Sequence, residues 1–210
     1  MAGMVALLAA TPAAAWPDTA LGRVEALAAL QSLNVELLTH DSATATIEAW
    51  CVSHNLAPGQ RVLARRVRTD KPATPEVRAV LQVGPDEPVR YRRVQLACGD
   101  RILSEADNWY VPGRLTPEMN KALDETDTPF GRAVAALDFR RRNTSAVLLF
   151  KPLPDGWDTA GKLPGGRGAL NIPPFVLEHR ATLFNPAGVP FSAVVESYTD
   201  QVLGFDPPRP

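Results

Sequence analysis

Several things are scarce in this chain, and each shortage removes a class of explanation. There are only two cysteines, Cys51 and Cys98, far apart and without a CxxC neighbour, and only three histidines. No Cys/His spacing resembles a zinc ligand set, so no metal is expected. The two sulfurs could pair in an oxidising compartment, but the simpler expectation is two buried free thiols. Neither sign of charge dominates: 22 Lys and Arg stand against 23 Asp and Glu, a formal net charge of -1. A nucleic-acid partner needs a concentrated positive surface to neutralise phosphates, and neither half of the chain offers one. The densest cluster, Arg140-Arg141-Arg142, is too short for a binding arm and reads as a solvated strand end. Beyond the N-terminus no stretch reaches the roughly 18 apolar residues that a membrane helix requires. His40, His54 and His179 have no Ser or Cys elbow around them, so they read as surface or capping residues rather than general bases.

What is present is ordinary globular material. With 210 residues, 45% of them hydrophobic and 21% charged, the chain can bury one good core. Residues 1–15, MAGMVALLAATPAAA, look like the back half of a secretory signal, although a basic n-region is missing. On this reading residues 1–17 form a signal or leader segment and residues 18–210 a single domain, with an exported, periplasmic location slightly favoured over a cytoplasmic one. Gly156 to Leu163, GWDTAGKL, fits the GxxxxGK of a phosphate loop. It lacks the Ser or Thr after the lysine and is followed by Pro-Gly-Gly instead of a helix, so the match is accidental.

The periodicity predicts a helix over 21–38, capped by Asp18 or Thr19, with Leu21, Val24, Leu27, Ala28, Leu37 and Leu38 as its apolar stripe. A second helix opens at Asp41-Ser42 and runs through Ile47, Trp50 and Cys51. Thr74-Pro75-Glu76, Thr116-Pro117-Glu118 and Thr128-Pro129 are further helix starts, proline losing no needed N–H at the first position. Strands are expected over 60–69, 88–98, 101–111, 139–150, 176–185 and 191–203, with turns at Gly99-Asp100 and Asn185-Pro186-Ala187-Gly188. Residues 152–174, rich in Pro and Gly, are expected to form a long surface loop. Strands joined by hairpins give an α+β fold: an antiparallel sheet with helices packed on one face.

Within that sheet two charged residues stand on apolar faces. The period of two puts Arg92 with Val94, Leu96 and Cys98, and Glu196 with Val194 and Tyr198. An inward charge is expensive unless it is paired. The two could pair with each other, or could flank a ligand that carries both a carboxylate and a hydroxyl.

Four segments then resemble the chorismate pyruvate-lyase family: Leu37 to Thr44, ending in Asp-Ser-Ala-Thr; Tyr91 to Leu96; Thr128-Pro129-Phe130-Gly131-Arg132; and the final hairpin from Gly188-Val189-Pro190 to Glu196. The resemblance implies the chorismate lyase-like fold and an elimination of pyruvate from chorismate to give 4-hydroxybenzoate, with no cofactor. By the same resemblance Arg92 and Glu196 would be the catalytic residues. Arg92 would hold the ring carboxylate, and Glu196 would sit beside the ring hydroxyl or ether oxygen. Backbone amides near Ala43 and Phe130 would help to bind the ligand. Arg93 stands where the family has an acid, and Ala43 and Phe130 replace larger or aliphatic residues. The alternatives are a non-catalytic, exported binder of small aromatic carboxylic acids, and an exported structural or interaction protein with a degenerate pocket. A DNA-binding regulator is not expected, because no helix-turn-helix fits ahead of the fold; no protein partner is expected either.

Overall fold

The computed structural model describes residues 15–159 and 161–208. Helix α1, Ala20–Thr39, is capped by Thr19, whose hydroxyl accepts from the Gly22 amide. Gly22 is required there because a β-carbon would run into the Pro17 carbonyl oxygen. The buried stripe of α1 is Gly22, Ala26, Leu30, Leu33 and Leu37. This corrects the expected stripe, since Leu21 and Leu38 are exposed. The helix carries apolar residues on most sides, and the sheet selects the face that holds Leu30 and Leu33. Each such leucine contributes about 1.5–3 kcal/mol by leaving water. Helix α2, Ala43–Ser53, starts at Ser42, whose hydroxyl accepts from the Ala45 amide.

The chain continues through β1, Val62–Val67; α3, Pro75–Leu81; β2, Arg90–Cys98; β3, Arg101–Tyr110; α4, Pro117–Glu125; and the single turn α5, Phe130–Ala133. It ends in β4, Arg140–Leu148; β5, Phe175–Phe184; and β6, Pro190–Thr199, followed by a short 3-10 turn at Asp200–Leu203. The fold is α+β: six antiparallel strands in the order β1-β2-β3-β6-β5-β4. The long helices lie on one face of that sheet. The α1 and α2 residues pack with Val94, Leu96, Ala106, Val194 and Tyr198 in the main core, while Met119 and Leu123 of α4 and Phe130 of α5 close a second cluster around Tyr110 and Phe191. Short α3 lies on the reverse face. Its Leu81 packs with Trp109 and Ala193, which alternate along their strands with Asn108 and Val194.

Two expectations are corrected here. Cys51 and Cys98 are not free thiols but a disulfide that ties α2 to the end of β2. Trp16 and Pro17 belong to the folded body, not to a leader: Trp16 is 1% exposed and donates its indole N–H to the Leu203 carbonyl at 2.8 Å, and Pro17 bridges Ala169. Residues 1–14 of the expected leader lie outside the described residues. The GWDTAGKL stretch is built of turns and bends at its described positions.

Candidate functional site

The sheet face that meets the helices carries a polar cavity. Arg92, on β2, points into the helical layer beside Val94 and Leu96, as its strand period requires, and is 5% exposed. Its Nη2 donates to the Thr128 carbonyl at 3.1 Å, while Nε and Nη1 are buried without a partner. Burial first, and the neighbouring Arg66 charge second, lower this guanidinium to about 10, so it stays charged at neutral pH. Each unsatisfied buried donor costs about 1–3 kcal/mol, and more on a charged group. The folded protein therefore carries a deficit that an anion could relieve.

Above Arg92 lies a half-enclosed cavity of about 40 Å³. Its floor is formed by residues of β2, β3 and β6, including Asn108 and Ser192, whose side chains bond each other at 2.6 Å. Its roof is Ser42-Ala43-Thr44 at the start of α2, with Phe130 and Gly131 of α5. First-turn N–H groups have no acceptor within their own helix and carry the positive end of its dipole. The two roof pieces meet closely: a β-carbon on Gly131 would lie 3.1 Å from both the Ser42 and the Thr44 hydroxyl oxygens.

Glu196, on β6, lines the same cavity and is 7% exposed. It forms no ion pair with Arg92. Its carboxylate accepts from Arg141 at 2.5 Å and from the Tyr198 hydroxyl at 3.2 Å. The Arg141 side chain, only 3% exposed, also donates to Asn143 at 2.8 Å. Burial works against its charge, but the Glu196 carboxylate together with Tyr198 and Asp41 outweighs this and raises the guanidinium above its ordinary value. Burial pushes the Tyr198 phenol well up. Directly across from Glu196 in the ladder is His179, 0% exposed, with Nε2 2.8 Å from Asn34 Oδ1.

Arg92, Glu196, Ala43 and Phe130 thus line one cavity. Two residues around it were misjudged from sequence. Arg141 is no solvated strand end, although Arg140 and Arg142 on either side of it are exposed. His179 is neither a surface nor a capping residue. The missed signal was the alternation along β4, which turns the middle arginine of the triplet toward the core.

Comparison with known proteins adds a family. No protein-family model matches the chain. The uncharacterized protein y4mC of Sinorhizobium fredii is 58% identical over 196 residues, covering 92% of this chain and 83% of that protein. The chain belongs to the y4mC family. Its fold is the chorismate lyase-like one, which this y4mC family member shares with solved structures of much lower identity. PhnF from Mycobacterium smegmatis has 16% identity and a TM-score of 0.51, covering 82% of this chain and 70% of that one. YydK from Bacillus subtilis, described as a possible transcriptional regulator, has 16% identity and a TM-score of 0.42. The alignment covers 71% of this chain but only 63% of the YydK chain, so this y4mC family member spans less than two thirds of it. Others are described as a GntR-family transcriptional regulator from Enterococcus faecalis and as the ligand-binding domain of a putative one from Bordetella bronchiseptica.

These findings correct the functional expectation. The similar solved structures named here are described as regulators or as ligand-binding and effector domains, and none of them is described as a lyase. The geometry agrees, since the carboxylate of Glu196, expected to work at an ether oxygen, is engaged by Arg141. The reading of an enzyme releasing 4-hydroxybenzoate and pyruvate from chorismate is therefore withdrawn, and nothing in these findings supports the expected signal peptide. Among the described residues no helix is long and apolar enough to cross a membrane.

Proposed function

We propose that this member of the y4mC family is a binding domain for a small organic anion, which it holds by charge on Arg92 and does not transform. One observation carries the reading: a guanidinium 5% exposed, with two of its three nitrogens unpartnered, at the wall of a half-enclosed cavity. A planar, permanently charged fork fits a carboxylate with two parallel hydrogen bonds. The start of α2 supplies N–H groups and a favourable dipole on the same cavity. Phe130, Phe139 and Leu183 give the remaining wall an apolar character suited to a flat body. A small aromatic carboxylic acid is thus the first class to try. The fold shared with PhnF, whose effector domain has also been solved by itself, supports a sensing or binding role.

The test is calorimetric titration and thermal melting with benzoate, hexanoate and related monocarboxylates, in the wild type and in Arg92→Met. Charge-assisted bonds are worth about 1.5–3 kcal/mol each, so the variant should lose at least about tenfold in affinity. Its unliganded stability should not fall, because the substitution removes an unsatisfied buried charge. Equal affinity in the two proteins would remove Arg92 and its cavity from consideration.

A further inference from the structure

The cavity holds more charge than its ligand head group needs, and the arrangement of that charge limits which anions fit. Four ionisable side chains line it: Arg92, Arg141, Glu196 and Asp41. Asp41, at the rim, receives the backbone N–H of Arg141 at 2.6 Å and the guanidinium of exposed Arg140 at 3.3 Å, so its charge is matched from outside. Glu196 and Arg141 match each other across 2.5 Å. Arg92 is left over. Its strand and that of Glu196 are separated by β3 alone, so the two backbone positions stand two strand spacings, about 10 Å, apart across the sheet and are offset by two more residues along it. Glu196 therefore does not cancel Arg92 locally. Arg141 reaches Glu196 from β4, the edge strand on the far side of β5.

Resting on the reading of Arg92 as the anion holder, we infer that Arg141 is a specificity-determining residue: by neutralising Glu196 it leaves a single uncompensated positive charge, so the cavity selects monoanions with an uncharged far end and rejects dianions. A second carboxylate on the ligand would face Glu196, whose guanidinium partner is already taken, and would be desolvated against a like charge. A neutral hydroxyl or amide there meets no such opposition. Removing the negative charge of Glu196 reverses the logic, because Arg141 becomes a second unpaired cation in the same cavity.

Matched probes test this: benzoate against terephthalate, and hexanoate against adipate, titrated into the wild type and into Glu196→Gln. The wild type should bind each monocarboxylate at least tenfold more tightly than its dicarboxylate. Glu196→Gln should shift that ratio at least tenfold toward the dicarboxylate. A wild type that prefers the dicarboxylates, or a folded Glu196→Gln protein with an unchanged ratio, overturns the inference while leaving the anion site intact. If no probe binds the wild type, the anion site itself fails, and the inference fails with it. Should Glu196→Gln not fold, the double variant Arg141→Met/Glu196→Met decides. It deletes both members of the pair, and an apolar replacement of a whole buried pair is usually tolerated. The preference for monocarboxylates should survive in it, and a preference lost in a folded double variant would refute the charge balance.

Discussion

His179 lies wholly inside the protein, with one ring nitrogen on Asn34 and the other, Nδ1, buried without a partner. Burial lowers it to about 4, against an ordinary 6.5; the Glu196 charge opposes that shift, and the Arg141 charge adds to it. Below pH 6.5 the unfolded chain takes up a proton that the folded ring refuses, so stability falls as pH drops from about 6.5 toward 4. The gap is worth at most about 3 kcal/mol, at about 1.36 kcal/mol per pH unit. Urea denaturation at steps from pH 7.5 to 4.5 should therefore show a steeper loss in the wild type than in His179→Gln. Parallel curves would mean that the ring is protonated or exposed in the folded state. At this scale, what was legible in the sequence depended on neighbours. Arg92 sits among valine and leucine at every second position, so its burial could be read off. Arg141 sits between two exposed arginines in a polar strand, and His179 between Glu178 and Arg180, so their local chemistry resembles a surface even though both point inward.

Helix α2 concentrates most of the constraints on the cavity. Its first turn forms part of the roof, and its Cys51 is bridged to Cys98 in β2, the strand that carries Arg92. The bridge spans 47 positions of sequence, and closing a loop of that size typically stabilises a small domain by about 2–5 kcal/mol. Cys51→Ala/Cys98→Ala, or reduction of the wild type, should lower the unfolding free energy by that amount in urea titrations. A change below about 0.5 kcal/mol would mean that the two sulfurs are not joined in solution. The other end of α2 answers to Gly131. An added methyl there presses on the Ser42 hydroxyl, which is already committed to capping the helix, so Gly131→Ala should cost about 1 kcal/mol. The same denaturation experiment reads it, and a neutral result would show that the roof pieces can part without loss. The start of α2 was legible because Asp41-Ser42 is a capping signal, and the two helices opened by Thr-Pro, α3 and α4, were legible for a similar reason. In α5 Pro129 is itself the cap, so Thr128 does not open that helix as expected. The disulfide was not, because pairing depends on distance in space, and two cysteines with no local motif do not announce theirs. The stripe of α1 was ambiguous on physical grounds: a helix rich in Ala and Leu offers several apolar faces, and only the partner surface chooses among them.

Over the whole molecule, hairpin reasoning joined β2 to β3 and β5 to β6 but could not place one pair against the other. The junction of β3 with β6 brings Asn108 beside Val194 and Ala106 beside Glu196, and so assembles the cavity floor from segments some ninety residues apart. The ends of the fold are closed by a similarly distant contact. Trp16 is buried, its indole N–H held by the Leu203 carbonyl, its ring edge-on to Phe205 at 5.5 Å, and its carbonyl accepting from the Leu170 amide. One residue thus joins the entry to α1, the Pro- and Gly-rich loop and the turn after β6. Replacing Trp16 by Ala removes a large core side chain and leaves the Leu203 carbonyl without its donor, so the loss should be about 3–5 kcal/mol. Shortening the chain to begin at Trp16 should leave that contact standing, whereas beginning it at Asp18 should cost as much as the substitution. Urea denaturation of the three proteins compares them directly. If the chain that begins at Asp18 is as stable as the one that begins at Trp16, the tryptophan is a passenger on the surface and the core ends at α1.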